Sequence, residues 1–106
     1  MITESDWKKF KKLKEAALER FCAEVLADVQ AANSQADMSN YAKYIYLYKL
    51  VENADKRLSL LFDSHSRSKA RMQLMHLRSE GLIAENDLEG LSDELIQSTE
   101  PIVRNP

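Results

Sequence analysis

The chain has 106 residues with 15 Lys and Arg against 17 Asp and Glu, and its formal net charge of −2 disfavours binding to DNA or anionic lipid through overall charge. It contains only 2 Gly and 2 Pro, where average usage predicts about 7 and 5, so we expect a few long helices rather than many short strands. The single cysteine, Cys22, allows no internal disulfide, and neither a membrane span nor a signal peptide is visible, which together favour a cytoplasmic protein.

The first helix is predicted over residues 4–32, with Thr3 as its N-terminal cap. Apolar residues recur in this segment at steps of three and four and fall on one broad arc, as in an amphipathic helix: Trp7, Phe10, Leu13, Ala17, Leu18, Phe21, Val25 and Val29. The polar segment 33–38 that follows has no such periodicity and predicts a loop.

The second helix is predicted to begin after Ser39 or Asn40 and to end near Phe62. Its apolar residues form a heptad seam at Tyr44, Leu47, Val51, Ala54, Leu58 and Leu61. A second apolar patch lies on roughly the opposite face, at Tyr46, Leu50 and Leu60. A helix that is apolar on two sides is typical of the centre of a bundle or of a contact with a partner subunit. The alternating run YIYLY is also compatible with a strand, although the seam continues past it at helical spacing.

The serine-rich segment 63–68 predicts a break before a third helix over residues 66–80, which Gly81 would end. Because this segment contains no obligatory breaker, a single continuous helix through the second and third elements is the alternative. A shorter fourth helix is expected after Ile83, with an interruption near Gly90, a new cap at Ser92 and a stop at Pro101.

The run MQLMHLRSEGLIAENDLEGLSDELI resembles the short helical hairpin found at the C-termini of many bacterial proteins, in which a Gly separates two helices. This resemblance implies the geometry of a hairpin and implies no function. Together the elements predict an all-α fold, a small antiparallel helical bundle of three long helices plus a shorter C-terminal helix. Residues 1–98 would form a single domain and residues 99–106 a flexible tail.

No motif predicts a catalytic residue, a metal site or a cofactor, and we expect a non-enzymatic protein. His65 and His76 would lie about 16 Å apart on a continuous helix, too far to share one ion. Gly81 and Gly90 are the only glycines, so a Gly-rich phosphate loop is impossible. Cys22 has no His or Asp at a motif spacing and is expected to pack as a small hydrophobic residue.

Three tyrosines on one face of the second helix, Tyr41, Tyr44 and Tyr48, allow two interpretations. They could line the edge of the core, with their hydroxyls reaching water, or they could form a contact surface, because Tyr is enriched at interfaces. We take the second interpretation as the basis for function, a small adaptor or regulatory subunit that works by protein–protein contact and forms a homodimer. The candidate contact residues are Trp7, Tyr41, Tyr44, Tyr46, Tyr48, Leu50 and Leu60.

Two alternatives to protein contact follow from other segments. The basic segment 65–78 could contact nucleic acid through Arg67, Lys69, Arg71 and Arg78, although the acidic helix that follows it would be repelled by phosphates. The basic and acidic segments could instead pair with each other, within one chain or across a dimer. A small-molecule site or an active site in the groove between the first two helices is the second alternative.

Overall fold

The computed structural model describes residues 1–101, and this part of the chain is all-α, as predicted. Two long helices, α1 (Glu4–Asn33) and α2 (Asn40–Phe62), are followed by two shorter ones, α3 (Ala70–Ser79) and α4 (Asp93–Ser98). Single 3-10 turns, Arg67–Lys69 and Glu85–Leu88, precede α3 and α4. The strand interpretation of YIYLY is wrong, because this run lies inside α2.

Short polar side chains cap three of the helices at the residues that the sequence indicates. The Thr3 hydroxyl accepts a hydrogen bond from the Asp6 N–H at 3.1 Å, and Ser39 accepts one from Ala42 at 3.1 Å. Ser92 caps α4 in the same way and accepts from the Leu95 N–H at 3.3 Å. Each cap satisfies a backbone donor that has no partner inside the helix.

The chain breaks between α2 and α3, so the alternative of one continuous helix is wrong. Ser66 is extended, with φ −141° and ψ 131°, and the next three residues wind as a 3-10 turn. The α-helical part of the third element is therefore only 10 residues long, shorter than the helix predicted over 66–80. Gly81, at φ +72°, follows it in the left-handed conformation that favours glycine.

The core lies at one end of the molecule. It combines one side of the first half of α1 with the end of α2, the inner face of α3 and the C-terminal segment, and its members are Ile2, Phe10, Leu13, Ala17, Phe21, Leu61, Phe62, Ala70, Leu74, Leu77, Leu82, Ile83, Leu88, Leu91 and Leu95. Between residues 22 and 60, Ala32 alone is buried. We call residues 22–57, which project from this core as two packed helices, the arm.

The arm makes the molecule elongated. Its principal extents are 52 × 31 × 20 Å and its radius of gyration is 16.8 Å, whereas a compact chain of this length would have a radius of gyration of about 13 Å. A third helix long enough to cover the arm, as a three-helix bundle would require, is absent from the described residues because α3 packs only at the core end.

Polar contacts close the core end around the C-terminal segment. The buried Asp6 carboxylate accepts hydrogen bonds from the Ser92 N–H at 2.8 Å and from the Ser92 hydroxyl at 2.5 Å. Thr99 is also buried and donates to the Leu95 carbonyl at 2.8 Å, so ordered structure extends into the segment predicted to be a tail. The remainder of that predicted tail, residues 102–106, lies outside the described residues.

Candidate protein-contact surface

The two helices of the arm run antiparallel in a single layer. At its base, the Phe21 ring meets the Phe62 ring edge-on with centroids 5.9 Å apart, and the Arg57 guanidinium lies 5.5 Å from the Phe21 centroid. Further along the arm, Val25 lines the same groove as Ala54. Two helices in contact bury only the stripe where they touch, so the flanks of both helices stay in solvent.

All four tyrosines are exposed, with relative exposures from 52% to 75%. The interpretation that they line the edge of the core is therefore wrong. It assumed that the whole of α2 packs inside a bundle, whereas the core reaches only as far as Leu61 and Phe62 at the end of this helix.

One side of the arm is apolar across both helices, and we call it the tyrosine face. Tyr44, Tyr48 and Val51 of α2 line one groove, and Cys22, Leu26, Val29 and again Val51 line the adjoining groove. Because Val51 belongs to both grooves, the face is continuous from one helix to the other. Leu26 is 66% exposed and Val51 is 52% exposed, so no other part of the described chain covers this face.

Acidic residues border the tyrosine face toward its base. Glu52 and Asp55 line the groove that contains Tyr44 and Tyr48. The neighbouring Glu52 carboxylate raises the pKa of the Tyr48 phenol, because an acceptor with a negative charge favours the protonated hydroxyl. Toward the tip the face carries tyrosine hydroxyls and no charged side chain in its lining.

The remaining candidate contact residues lie elsewhere. Tyr46 and Leu50 line a groove on the other side of the arm, beside Asp28 and Asp37. Tyr41 is exposed in the first turn of α2.

Two candidates belong to the core end. Leu60 is 83% exposed there and shares a separate groove with Met72. Trp7 is half-buried, with its ring centroid 5.3 Å from that of His65 and 5.4 Å from the Lys11 amine. The predicted contact residues therefore occupy several surfaces, and only Tyr44 and Tyr48 belong to the tyrosine face.

The predicted nucleic-acid residues are mostly engaged within the chain. Arg67 donates to the Ile2 carbonyl at 2.7 Å and pairs with Glu4 at 3.1 Å. Arg71 pairs with Glu94 at 2.8 Å.

The side chain of Arg78 is buried and donates to the Ile96 carbonyl at 2.7 Å, to the Thr99 hydroxyl at 2.9 Å and to Glu85 at 3.0 Å. Of the four basic residues, only Lys69 makes no ion pair within residues 1–101. The ion pairs of Arg71 and Arg78 join the basic segment to the acidic segment that follows it, as the pairing alternative predicts, whereas Arg67 pairs with Glu4.

The groove between α1 and α2 contains no arrangement typical of nucleophilic catalysis. Cys22 lies among apolar side chains, and neither His65 nor His76 lines the groove on either side. Over the described range, no three His, Cys, Asp or Glu side chains are grouped so that they could hold a metal ion. None of the helices in residues 1–101 combines the length and apolar character needed to cross a bilayer.

Sequence reasoning missed Leu26 and placed Val51 on an inner seam. Leu26 directly follows Val25, outside the arc expected to face the core. The sequence contained one signal for this exposed surface, since the two long apolar helices present more apolar surface than the shorter elements after them can cover.

No protein-family model, curated protein or solved structure matches this chain.

Proposed function

We propose that this chain is a small, non-enzymatic cytoplasmic protein that acts through protein–protein contact, as an adaptor or regulatory subunit, and that its contact surface is the tyrosine face. The observation that carries this proposal is the exposure of Leu26, Tyr44, Tyr48 and Val51 on one continuous side of a projecting arm. Large contiguous apolar patches are uncommon on monomeric proteins and mark interaction sites.

The composition of this face suits a protein partner. Tyrosine supplies a large apolar ring with a polar hydroxyl at its end, and it is enriched among the residues that dominate binding energy. Fully burying one Leu or Val side chain stabilises a complex by about 1.5–3 kcal/mol. Both helices are already formed, so less conformational entropy is lost on binding than with a segment that must fold first.

The antiparallel bundle predicted for one chain is, in this proposal, completed by the partner. Partner helices covering the tyrosine face would supply the neighbours that α3 does not reach, and the exposed seam residue Val51 would then be enclosed in a bundle. The competing proposals have weaker support. Three of the four arginine and lysine candidates for nucleic-acid contact are engaged in internal ion pairs, and no histidine lines the arm groove that contains Cys22.

Affinity purification of the tagged full chain from its native host tests the proposal. The matched variants are Tyr44→Glu, on the tyrosine face, and Tyr46→Glu, at an exposed tyrosine on the other side of the same helix. We expect the wild type and the Tyr46→Glu variant to retain protein partners, including untagged copies of the chain, and the Tyr44→Glu variant to lose them. Retention of nucleic acid without protein, or equal retention of protein by both variants, would refute the proposal.

A further inference from the structure

We infer that the occupant of the tyrosine face is the same face of a second copy of this chain in antiparallel orientation, so that two arms form a four-helix bundle. This inference rests on the proposed function and names its partner. A twofold-symmetric contact is self-complementary, because each copy presents the same surface to the other.

The arm has the geometry that such a bundle needs. It consists of two antiparallel helices in one layer, and both helices contribute apolar residues to the tyrosine face. Two layers of this kind, placed face to face, give the four helices and the enclosed apolar centre of a four-helix bundle. In that arrangement Leu26 and Val51, which are exposed in one chain, lie in the common core.

The surface area of the chain supports an interface of ordinary size. The chain exposes 7551 Å² at a mass of 12.2 kDa, whereas a compact monomer of that mass would expose about 6,100 Å². The excess is about 1,450 Å², and a standard interface removes about 800 Å² from each partner. Pairing of the arms would therefore remove about half of the excess surface.

The distribution of charge along the face selects the antiparallel orientation. Acidic side chains, Glu52 and Asp55, lie toward the base, and uncharged tyrosines lie toward the tip. Parallel pairing would oppose the acids of one copy with the acids of the other, which is unfavourable at short range. Antiparallel pairing places the acids of one copy opposite the tyrosines of the other, where the hydroxyl of Tyr44 can donate a hydrogen bond to a carboxylate. The contact of Tyr48 with Glu52 within one chain is of the same chemical kind.

The exposed patch at Leu60 and Met72 does not join the tyrosine face. It lies in a separate groove at the core end, together with Lys69 and His76. A contact between this patch and the tyrosine face of another copy would be head-to-tail and would build rings or open chains rather than a closed dimer. The two arrangements therefore differ in the mass of the assembly.

Light scattering on the purified full chain, over a wide range of concentrations, tests the stoichiometry. We expect twice the chain mass of 12.2 kDa. Because a symmetric dimer contains each substitution twice, Leu26→Glu should raise the dimer Kd by at least about 100-fold. The matched control, Leu60→Glu, should leave the Kd unchanged, and circular dichroism should show that both variants stay helical.

The orientation is tested by a spin label on Ala36→Cys, in the exposed loop at the tip of the arm, in a Cys22→Ala background. Because Cys22 lines the tyrosine face, light scattering must first show that the Cys22→Ala chain forms the same dimer as the wild type. Antiparallel pairing places the tip of each arm at the base of the other. The part of α2 within the arm, residues 40–57, is 18 residues or about 27 Å long, so the two labels should be at least about 27 Å apart. A separation near the ~10 Å spacing of neighbouring helices would overturn the orientation.

The remaining outcomes separate this inference from the proposed function. A monomer at every concentration, with partner capture that still depends on Tyr44, would overturn the self-contact and leave the contact function standing. A dimer that survives Leu26→Glu, or an assembly larger than a dimer that Leu60→Glu dissociates, would overturn the choice of face. A monomer that captures no protein would refute both.

Discussion

Replacement of Arg78 by Met tests whether this cation serves the fold rather than a nucleic-acid contact. Its side chain is only 3% exposed and donates to Ile96, Thr99 and Glu85. Glu85 is largely exposed and would regain water, so its ion pair contributes little. The Ile96 carbonyl and the Thr99 hydroxyl would lose a charged donor in a poorly hydrated site, although Thr99 keeps its bond to Leu95. We therefore expect Arg78→Met to lower the free energy of unfolding by about 2–4 kcal/mol.

Arg71→Met is the matched control, two turns earlier on the same helix. Arg71 also pairs with an acid of the C-terminal segment, but its side chain is 35% exposed and that of its partner Glu94 is 70% exposed. An exposed pair of this kind contributes about 1 kcal/mol or less. Urea denaturation at equal protein concentrations measures both variants, because self-association would make stability depend on concentration. An Arg78→Met variant that loses no more stability than Arg71→Met would refute the structural role.

Three further predictions concern the core, the acid response and a helix end. Leu74→Ala, at a fully buried site, should cost about 2–5 kcal/mol, whereas Leu60→Ala, at an exposed site, should change stability by less than about 0.5 kcal/mol in the same denaturation assay. Hydrogen bonds from Arg20 and from a backbone N–H lower the pKa of Asp87, so its stabilisation is complete above the unfolded-state pKa of about 3.9 and is lost as the pH falls through the lower folded-state pKa. Acid titration should accordingly give a shallower loss of stability for Asp87→Asn, and a slope equal to that of the wild type would contradict this. Gly81→Ala should lower the free energy of unfolding by about 1 kcal/mol because alanine is strained at this positive φ. No atom lies within 4 Å of the added Cβ, so a steric clash does not contribute. An unchanged midpoint of urea denaturation would contradict this strain.

Local features of the fold could be predicted from the sequence because their causes are local. The caps at Thr3, Ser39 and Ser92 depend on side chains within three residues of the backbone that they satisfy. The helix end before Gly81 and the interruption near Gly90 depend on the conformational freedom of single glycines, both at positive φ.

The extent of burial could not be predicted, because it depends on neighbours that are distant in sequence. Leu61 and Val51 belong to the same heptad seam, yet Leu61 is buried and Val51 is exposed. The difference arises because α3 and the C-terminal segment pack only against the base of α2. Periodicity identifies which residues share a helix face, but it does not identify what covers that face.

The ion pairs that the basic segment 65–78 makes within the chain could not be predicted from the sequence either. Arg71 and Arg78 meet acids that follow them by 23 and 7 residues, and Arg67 meets Glu4, which precedes it by 63 residues. Charge counts within the segment could indicate a binding surface or internal pairing, and only the fold distinguishes the two. The tyrosine face could likewise be predicted only in part. The two-sided apolar pattern of α2 is evident in the sequence, whereas Leu26 lies outside the apolar periodicity of α1.

The contact between Asp6 and Ser92, which joins residues 86 apart, has a consequence for synthesis on the ribosome. Five of the core residues lie between Leu82 and Leu95, so the core formed around Phe10 and Phe21 cannot close until that segment has been made. At about 5–20 residues per second, the interval between Phe21 and Leu95 is about 4–15 seconds. The two grooves of the tyrosine face are lined only by residues between 21 and 58, which are all made before that segment. The residues of the tyrosine face therefore leave the ribosome before those that complete the core, and neighbouring ribosomes on one messenger hold these residues of successive chains close together.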